Sequence, residues 1–282
     1  MKDKIVLITG SSSGIGLETA KELAKLGAEI ILVARSEDKL KAAVATIKEA
    51  TGNDKLKYYT ADFSSQKSIR AVAEKIKKDY SKLDVLLNNA GGVFPDFALS
   101  EDGLEMTIAT NHFAYFLLTN LLLDLLKKAD SARIVNVASD SHYRGKIDYE
   151  SFKKDKGYFI LKAYEQSKLA NVLFTVELVE RLKGTRITAN SLHPGSMVRT
   201  GIGDKDMPSY VKMVWGLASK LVGMSIEAGA KTSVYLASSS AVNGVTGKYF
   251  NKCKVQEESA TAKDKHSAQE LWRVSEELCP LK

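Results

Sequence analysis

Cysteine is scarce in this chain. Only Cys253 and Cys279 occur among 282 residues, far apart and with no metal-like spacing to any histidine. A disulfide framework is therefore not expected, and a reducing cytoplasm is the simplest compartment. Histidine is as thin: His112, His142, His193 and His266 are scattered, read as structural or surface groups, and define no metal site. Long hydrophobic runs are missing too. The longest, Tyr115 to Leu126, is broken by Thr119, Asn120 and Asp124 and is too short to span a bilayer. Met1-Lys-Asp-Lys leads straight into Ile5 to Ile8, which Thr9 and Gly10 cut off before a signal-peptide core can form. A soluble protein with no transmembrane segment is expected. Basic blocks with interleaved aromatics are also lacking. The net charge of +7 and the pI near 9.1 come from lysines interspersed with acids, as in Lys39 to Glu49, the pattern of solvated helix faces. No nucleic-acid partner is expected; a phosphate-bearing small molecule is the easier anion.

What is present alternates. Short apolar runs at Ile5 to Thr9, Glu29 to Ala34, Leu56 to Ala61, Leu83 to Leu87, Arg133 to Ala138 and Arg186 to Leu192 read as strands. Amphipathic segments at 14–26, 37–50, 64–79, 104–127 and 226–237 read as helices, as does a stretch running from Tyr164 to about Lys183. A last strand is expected near Lys248 to Phe250 and a charged helix over 262–278. Such alternation implies parallel strands joined by right-handed crossovers, with helices on both faces. No linker or composition shift divides the chain. The expectation is one doubly wound α/β domain over residues 1–282, with a sheet of about seven strands. The irregular segment 196–225, with Met197, Met207, Tyr210, Met213 and Trp215, is placed as an apolar lid on the substrate side, and 252–282 as a helical tail.

Two local patterns carry chemistry. Thr9-Gly10-Ser11-Ser12-Ser13-Gly14-Ile15-Gly16 lies between the first strand and first helix. Glycines there allow a tight turn and close backbone approach, and the helix N-terminus offers N–H groups to phosphates. About 20 residues later, where the 2′ position of an adenosine ribose is read, stands Arg35 rather than an acid, which favours NADP over NAD. In the second pattern, Tyr164 and Lys168 are four apart on a helix and so share a face. Taken alone such a pair is most often half-exposed surface. Beside an ammonium, however, a phenol's pKa moves down toward the useful range, which suits proton transfer.

With these pieces in order, the chain resembles the short-chain dehydrogenase/reductase family over nearly its whole length. The carriers are Thr9 to Gly16, Asn88-Asn89-Ala90-Gly91, Asn111, Ser139, Tyr164-x-x-x-Lys168 and Pro194-Gly195. Thr110 to Leu123, Ile134 to His142, Ser167 to Phe174 and Leu271 to Ser275 look like its retinol dehydrogenase-like branch. That branch often carries an N-terminal membrane anchor, not seen here. The resemblance implies a Rossmann-type fold and NADP(H) chemistry on a carbonyl/alcohol pair. Tyr164 would exchange the proton, Lys168 would lower its pKa and hold the nicotinamide ribose, Ser139 would bind the substrate oxygen, and Asn111 would anchor a water near Lys168. Gly10, Ser12, Ser13, Gly14, Ile15, Gly16, Arg35, Asp62, Asn89, Ala90, Gly91, Pro194, Gly195 and Thr200 would line the cofactor. Thr200 departs from the pattern, because one extra residue follows Gly195. The family commonly pairs through its fourth and fifth long helices, so a homo-oligomer is implied. The expected function is reduction or oxidation of a small apolar substrate. Its rivals are a non-catalytic NADP-binding regulator and a nucleotide-sugar epimerase or dehydratase.

Overall fold

A computed structural model describes residues 1–195 and 225–281. The proposed lid over 196–225, Thr200 included, lies outside the described residues except for Ser225. Strands β1 (Ile5–Thr9), β2 (Glu29–Ala34), β3 (Leu56–Thr60), β4 (Val85–Asn88), β5 (Ala132–Val137), β6 (Ile187–His193), β7 (Tyr249–Asn251) and β8 (Lys254–Gln256) form one sheet in the order β3-β2-β1-β4-β5-β6-β7-β8. All neighbours are parallel except β7 and β8. Side chains alternate across each strand, so β1 sends Val6 and Ile8 into one core and Leu7 into the other, all three fully buried. Helices α1 (Gly14–Lys25), α2 (Glu37–Thr51) and α7 (Ile226–Ser238) cover the first face. The second is covered by α3 (Gln66–Asp79), α5 (Ala114–Lys127), α6 (Ile160–Arg181) and α9 (Lys265–Leu278).

Two elements differ from the sequence reading. The helix expected over 104–127 is a short α4 (Met106–Ile108), a π-helical turn (Ala109–Phe113) and α5, run together. π-turns inside helices gather at functional sites, and this one holds Asn111. The expected tail begins with β8, not helix. Lys252 and Cys253 both take positive φ, 49° and 61°, which closes a two-residue hairpin from β7. A brief α8 (Ala260–Lys263) then leads to α9, whose Leu271 and Trp272 are buried. Trp272 stacks on Phe174 of α6 at 5.7 Å and meets Phe116 of α5 edge-on at 5.0 Å. The tail thus docks on the domain.

Candidate active site

β1 and β4 are adjacent, and their crossovers leave toward opposite edges of the sheet. Their carboxyl ends therefore open a crevice, the usual ligand position in doubly wound sheets. The chain leaves β1 through Gly10, φ 66°, and Gly14, φ 56°. A Cβ on Gly10 would sit 2.8 Å from the Ala90 Cα, and one on Gly16 would sit 2.4 Å from the Gly10 carbonyl oxygen. Only glycine folds this tightly. Thr9 Oγ1 accepts the N–H groups of Asn89 and Ala90, each at 2.9 Å, while Asn89 Nδ2 donates to the Thr9 carbonyl at 2.8 Å. Asn89 therefore spends its amide on shaping the turn. Ala90 is buried beside it and Gly91 is exposed.

α1 starts without a side-chain cap or an acid in its first turn. α6 likewise starts uncapped, whereas α2, α3, α7 and α9 begin under a serine or aspartate. The open N–H groups of α1, with Ser12, exposed Ser13 and Ile15 around them, are the donor set a pyrophosphate requires. Arg35 is exposed just past β2. The nearby acid Glu37 is engaged by Lys41 at 3.0 Å and by the Tyr58 hydroxyl at 3.3 Å, and its pKa falls accordingly. Asp62, two residues past β3, accepts the Ser64 N–H and hydroxyl through Oδ1 at 2.9 and 2.7 Å. The cap of α3 is Ser65, not Asp62.

The second group of residues gathers past β5 and on α6. Ser139, 8% exposed, follows β5 in extended backbone, and Tyr164 and Lys168 lie one turn apart on α6. Lys168 Nζ lies 5.5 Å from the Tyr164 ring centroid and donates to the Val137 carbonyl at 3.2 Å. Asn111 uses its whole amide: Nδ2 donates to the Gly92 carbonyl and Ser167 Oγ, each at 3.0 Å, and Oδ1 accepts the Gly92 N–H at 2.7 Å. A Cβ on Gly91 would meet Asn111 Oδ1 at 3.0 Å and Lys168 Nζ at 3.9 Å, so these three form one cluster. Pro194 and Gly195 follow β6, the strand next to β5.

Burial sets the electrostatics here. It pushes the Tyr164 phenol up, with the Ser139 hydroxyl acting as a hydrogen-bonding partner in the opposite direction. The drop expected from Lys168 does not win in this arrangement. Lys168 is itself pushed down to about 8 by burial, because 5% exposure leaves its charge little water. Helical spacing correctly brought the two groups together, but it carries no information about solvation.

Sequence reasoning missed several supporting residues. Gly145 lets the loop after Ser139 press on α6, where a Cβ would lie 2.6 Å from the Glu165 carbonyl oxygen. Asp140 accepts the Tyr249 hydroxyl at 2.8 Å and lies 3.3 Å from His193 Nε2. His142 bonds the Ser139 carbonyl. Only the position of these residues beside Ser139 could have drawn attention to them. A cavity of about 410 Å³ lined by Glu105, Lys146, Lys162 and Gln166 opens on the other side of α6 and includes none of Ser139, Tyr164 or Lys168.

The family model for short chain dehydrogenase matches residues 4–209. Human retinol dehydrogenase 14 is 40% identical over 295 residues, which cover 100% of this chain and 88% of that protein. Bovine retinol dehydrogenase 12 is 41% identical, covering 98% and 86%. A crystal structure of a protein from Mycobacterium paratuberculosis superimposes with TM-score 0.78 at 33% identity, covering 99% of this chain and 94% of the other. A Shigella flexneri chain described as a short chain dehydrogenase and complexed with NADP gives TM-score 0.69 at 26% identity, covering 90% and 98%. This chain belongs to the short-chain dehydrogenase/reductase family, in its retinol dehydrogenase-like branch, and is an oxidoreductase acting on CH–OH groups.

Proposed function

We propose that the protein is an NADP(H)-dependent oxidoreductase that interconverts a carbonyl and an alcohol on a small apolar substrate, with Tyr164 as general acid/base. The observation that carries this reading is the meeting of Ser139, Tyr164, Lys168 and Asn111 at the same end of the sheet as the open N-terminus of α1. The crevice residues fit a nicotinamide dinucleotide, which when bound supplies or accepts the hydride. Arg35 would hold a 2′-phosphate, and the first turn of α1 the pyrophosphate. Asp62, through the oxygen Ser64 does not use, and Gly91 would face the adenosine side, while Pro194 and Gly195 would border the nicotinamide. Ser139 Oγ would steady the substrate oxygen as charge gathers on it. Tyr164 Oη would give that oxygen a proton in reduction and take it back in oxidation. Lys168 would steady the phenolate, and Asn111 would hold the neighbouring loop and α6 in register.

Retention of all four side chains favours an enzyme over a non-catalytic regulator. Two unpaired cysteines suit a reducing compartment such as the cytoplasm. Among the described residues no helix is long and apolar enough to cross a membrane. α9 packs along α6, its Trp272 on Phe174 and edge-on to Phe116 of α5.

The test follows NADPH oxidation against a panel of aldehydes, ketones and quinones headed by retinaldehyde, since the relatives are named for retinol. Tyr164→Phe should lower kcat by roughly 10²–10⁴-fold on whichever substrate is turned over. No hydride exchange across the panel, or full activity in the variant, would overturn the reading.

A further inference from the structure

Behind Ser139, His142 is buried with no exposed surface, and both of its ring nitrogens have partners. Nδ1 lies 2.7 Å from the Ser139 carbonyl oxygen, which can only accept. Nε2 lies 3.2 Å from the Ser259 main-chain nitrogen, which can only donate. One form of the ring satisfies both: neutral imidazole with its proton on Nδ1. The ring packs on Tyr143 at 4.1 Å and Tyr249 at 4.6 Å between centroids. Tyr249 in turn holds Asp140. Ser259 caps α8, so the far end of this chain of bonds is the C-terminal segment.

We propose that His142 is a positioning residue for Ser139: Nδ1–H grips the serine's carbonyl while Ser259 anchors Nε2, so that the C-terminal segment sets where the serine hydroxyl stands relative to Tyr164. This rests on the reading that Ser139 works on the substrate oxygen. The same carbonyl also accepts the His142 main-chain N–H at 3.1 Å. Ser139 therefore begins a short turn that this bond and the Ser141 N–H, donated to Ser139 Oγ at 3.2 Å, hold closed, and the ring adds a further hold on its first carbonyl. Removing the Nδ1 arm loosens the serine's carbonyl while leaving the glycine crevice untouched, so a loss should appear in kcat and not in the KM for NADPH.

Two substitutions separate the arms. Asparagine at 142 carries its amide nitrogen where Nδ1 stands and keeps the bond to Ser139. Glutamine carries its amide oxygen where Nε2 stands and keeps the bond from Ser259. With NADPH and retinaldehyde, His142→Gln should lose about tenfold or more in kcat at unchanged KM for NADPH, as a displaced catalytic group does. His142→Asn should stay within about threefold of the parent, the equivalent of one modest hydrogen bond. Equal losses in the two variants, or full activity in His142→Gln, would overturn the proposal. Ser139→Ala separates the premise: if it stays fully active, Ser139 itself is not catalytic. If it is dead while His142→Gln is active, only the positioning role fails. A readout free of substrate and of folding variants is ¹⁵N-histidine NMR of the unmodified protein. The His142 signal should show the Nδ1–H tautomer, and an Nε2–H tautomer or an imidazolium would reject the arrangement.

Discussion

The two halves of the sheet hold their working groups by different means. On the β1 side the crevice is a backbone object: Gly10 and Gly14 turn with positive φ, Gly16 packs on Gly10, and Thr9 stitches the turn to Asn89 and Ala90. On the β5–β6 side the candidate reactive groups are held by side chains distant in sequence. His142 reaches Ser259, Tyr249 reaches Asp140, and Asn111 reaches Ser167. The backbone device is compact and tolerates nothing larger than hydrogen at a few points. The side-chain device draws its contacts from distant parts of the second core, the segment leading to α9 included. Damage to one half should therefore leave a different trace from damage to the other.

The largest effect should come from the tail. Trp272 is 4% exposed, stacked on Phe174 and edge-on to Phe116, with the Arg181 guanidinium carbon 4.3 Å from its ring centroid. Trp272→Ala should cost about 3–5 kcal/mol of stability, measured by urea unfolding, while NADPH titration well below the melting point should give a near-parental Kd. A loss of NADPH affinity in the folded variant would erase the distinction between the halves. Gly16→Ala is the opposite case. Its new Cβ would lie 2.4 Å from a backbone oxygen and 2.6 Å from Asn89 Nδ2. Overpacking against backbone costs about 2–3 kcal/mol, and here it should appear chiefly as weaker NADPH binding. Tight binding by this variant would show that the glycine turn does not shape the cradle.

The same contrast explains what could be read without coordinates. The order of strands and helices, the glycine turn and the Tyr164/Lys168 pair were legible because each signal lies within a few residues, in the hydrophobic period or in i, i+4 spacing. The π-turn at Asn111 was not, because its cause is tertiary: the Asn111 amide binds Gly92 and Ser167. The β7–β8 hairpin escaped because Lys252 and Cys253 take positive φ without the glycine or asparagine that signals such turns. His142 looked like one more scattered histidine, since its partner Ser259 is 117 residues away. The direction of the Tyr164 shift escaped for another reason, because desolvation depends on everything packed around a group.

Arg35 sharpens the picture of the first half. It is exposed past β2, and on the proposed reading it would add a charged contact to the backbone cradle without being part of its shape. Arg35→Ala should weaken NADPH by about 1.5–3 kcal/mol, the worth of one charge-assisted contact, and leave NADH and stability unchanged. Fluorescence titration with each cofactor decides the matter. Equal weakening of both, or of neither, would remove Arg35 as the 2′-phosphate reader.

A smaller change in stability than at Trp272 belongs to Lys168, and it tests whether the second half carries a cost in stability for its chemistry. Burial lowers this lysine from 10.5 to about 8. In the unfolded chain it stays protonated up to about 10.5, so between about 8 and 10.5 the unfolded state binds more protons and stability rises with pH. Below about 8 the full cost of the buried charge is present, about 3 kcal/mol, less what the bond to Val137 returns. Lys168→Met should therefore abolish turnover yet be about 1–2 kcal/mol more stable than the parent at pH 7, with the gain fading by pH 10. Urea unfolding at both pH values measures it. A variant less stable than the parent at pH 7, or a difference that does not move with pH, would mean that Lys168 is well accommodated where it stands and that the second half gives up no stability for its reactive cluster.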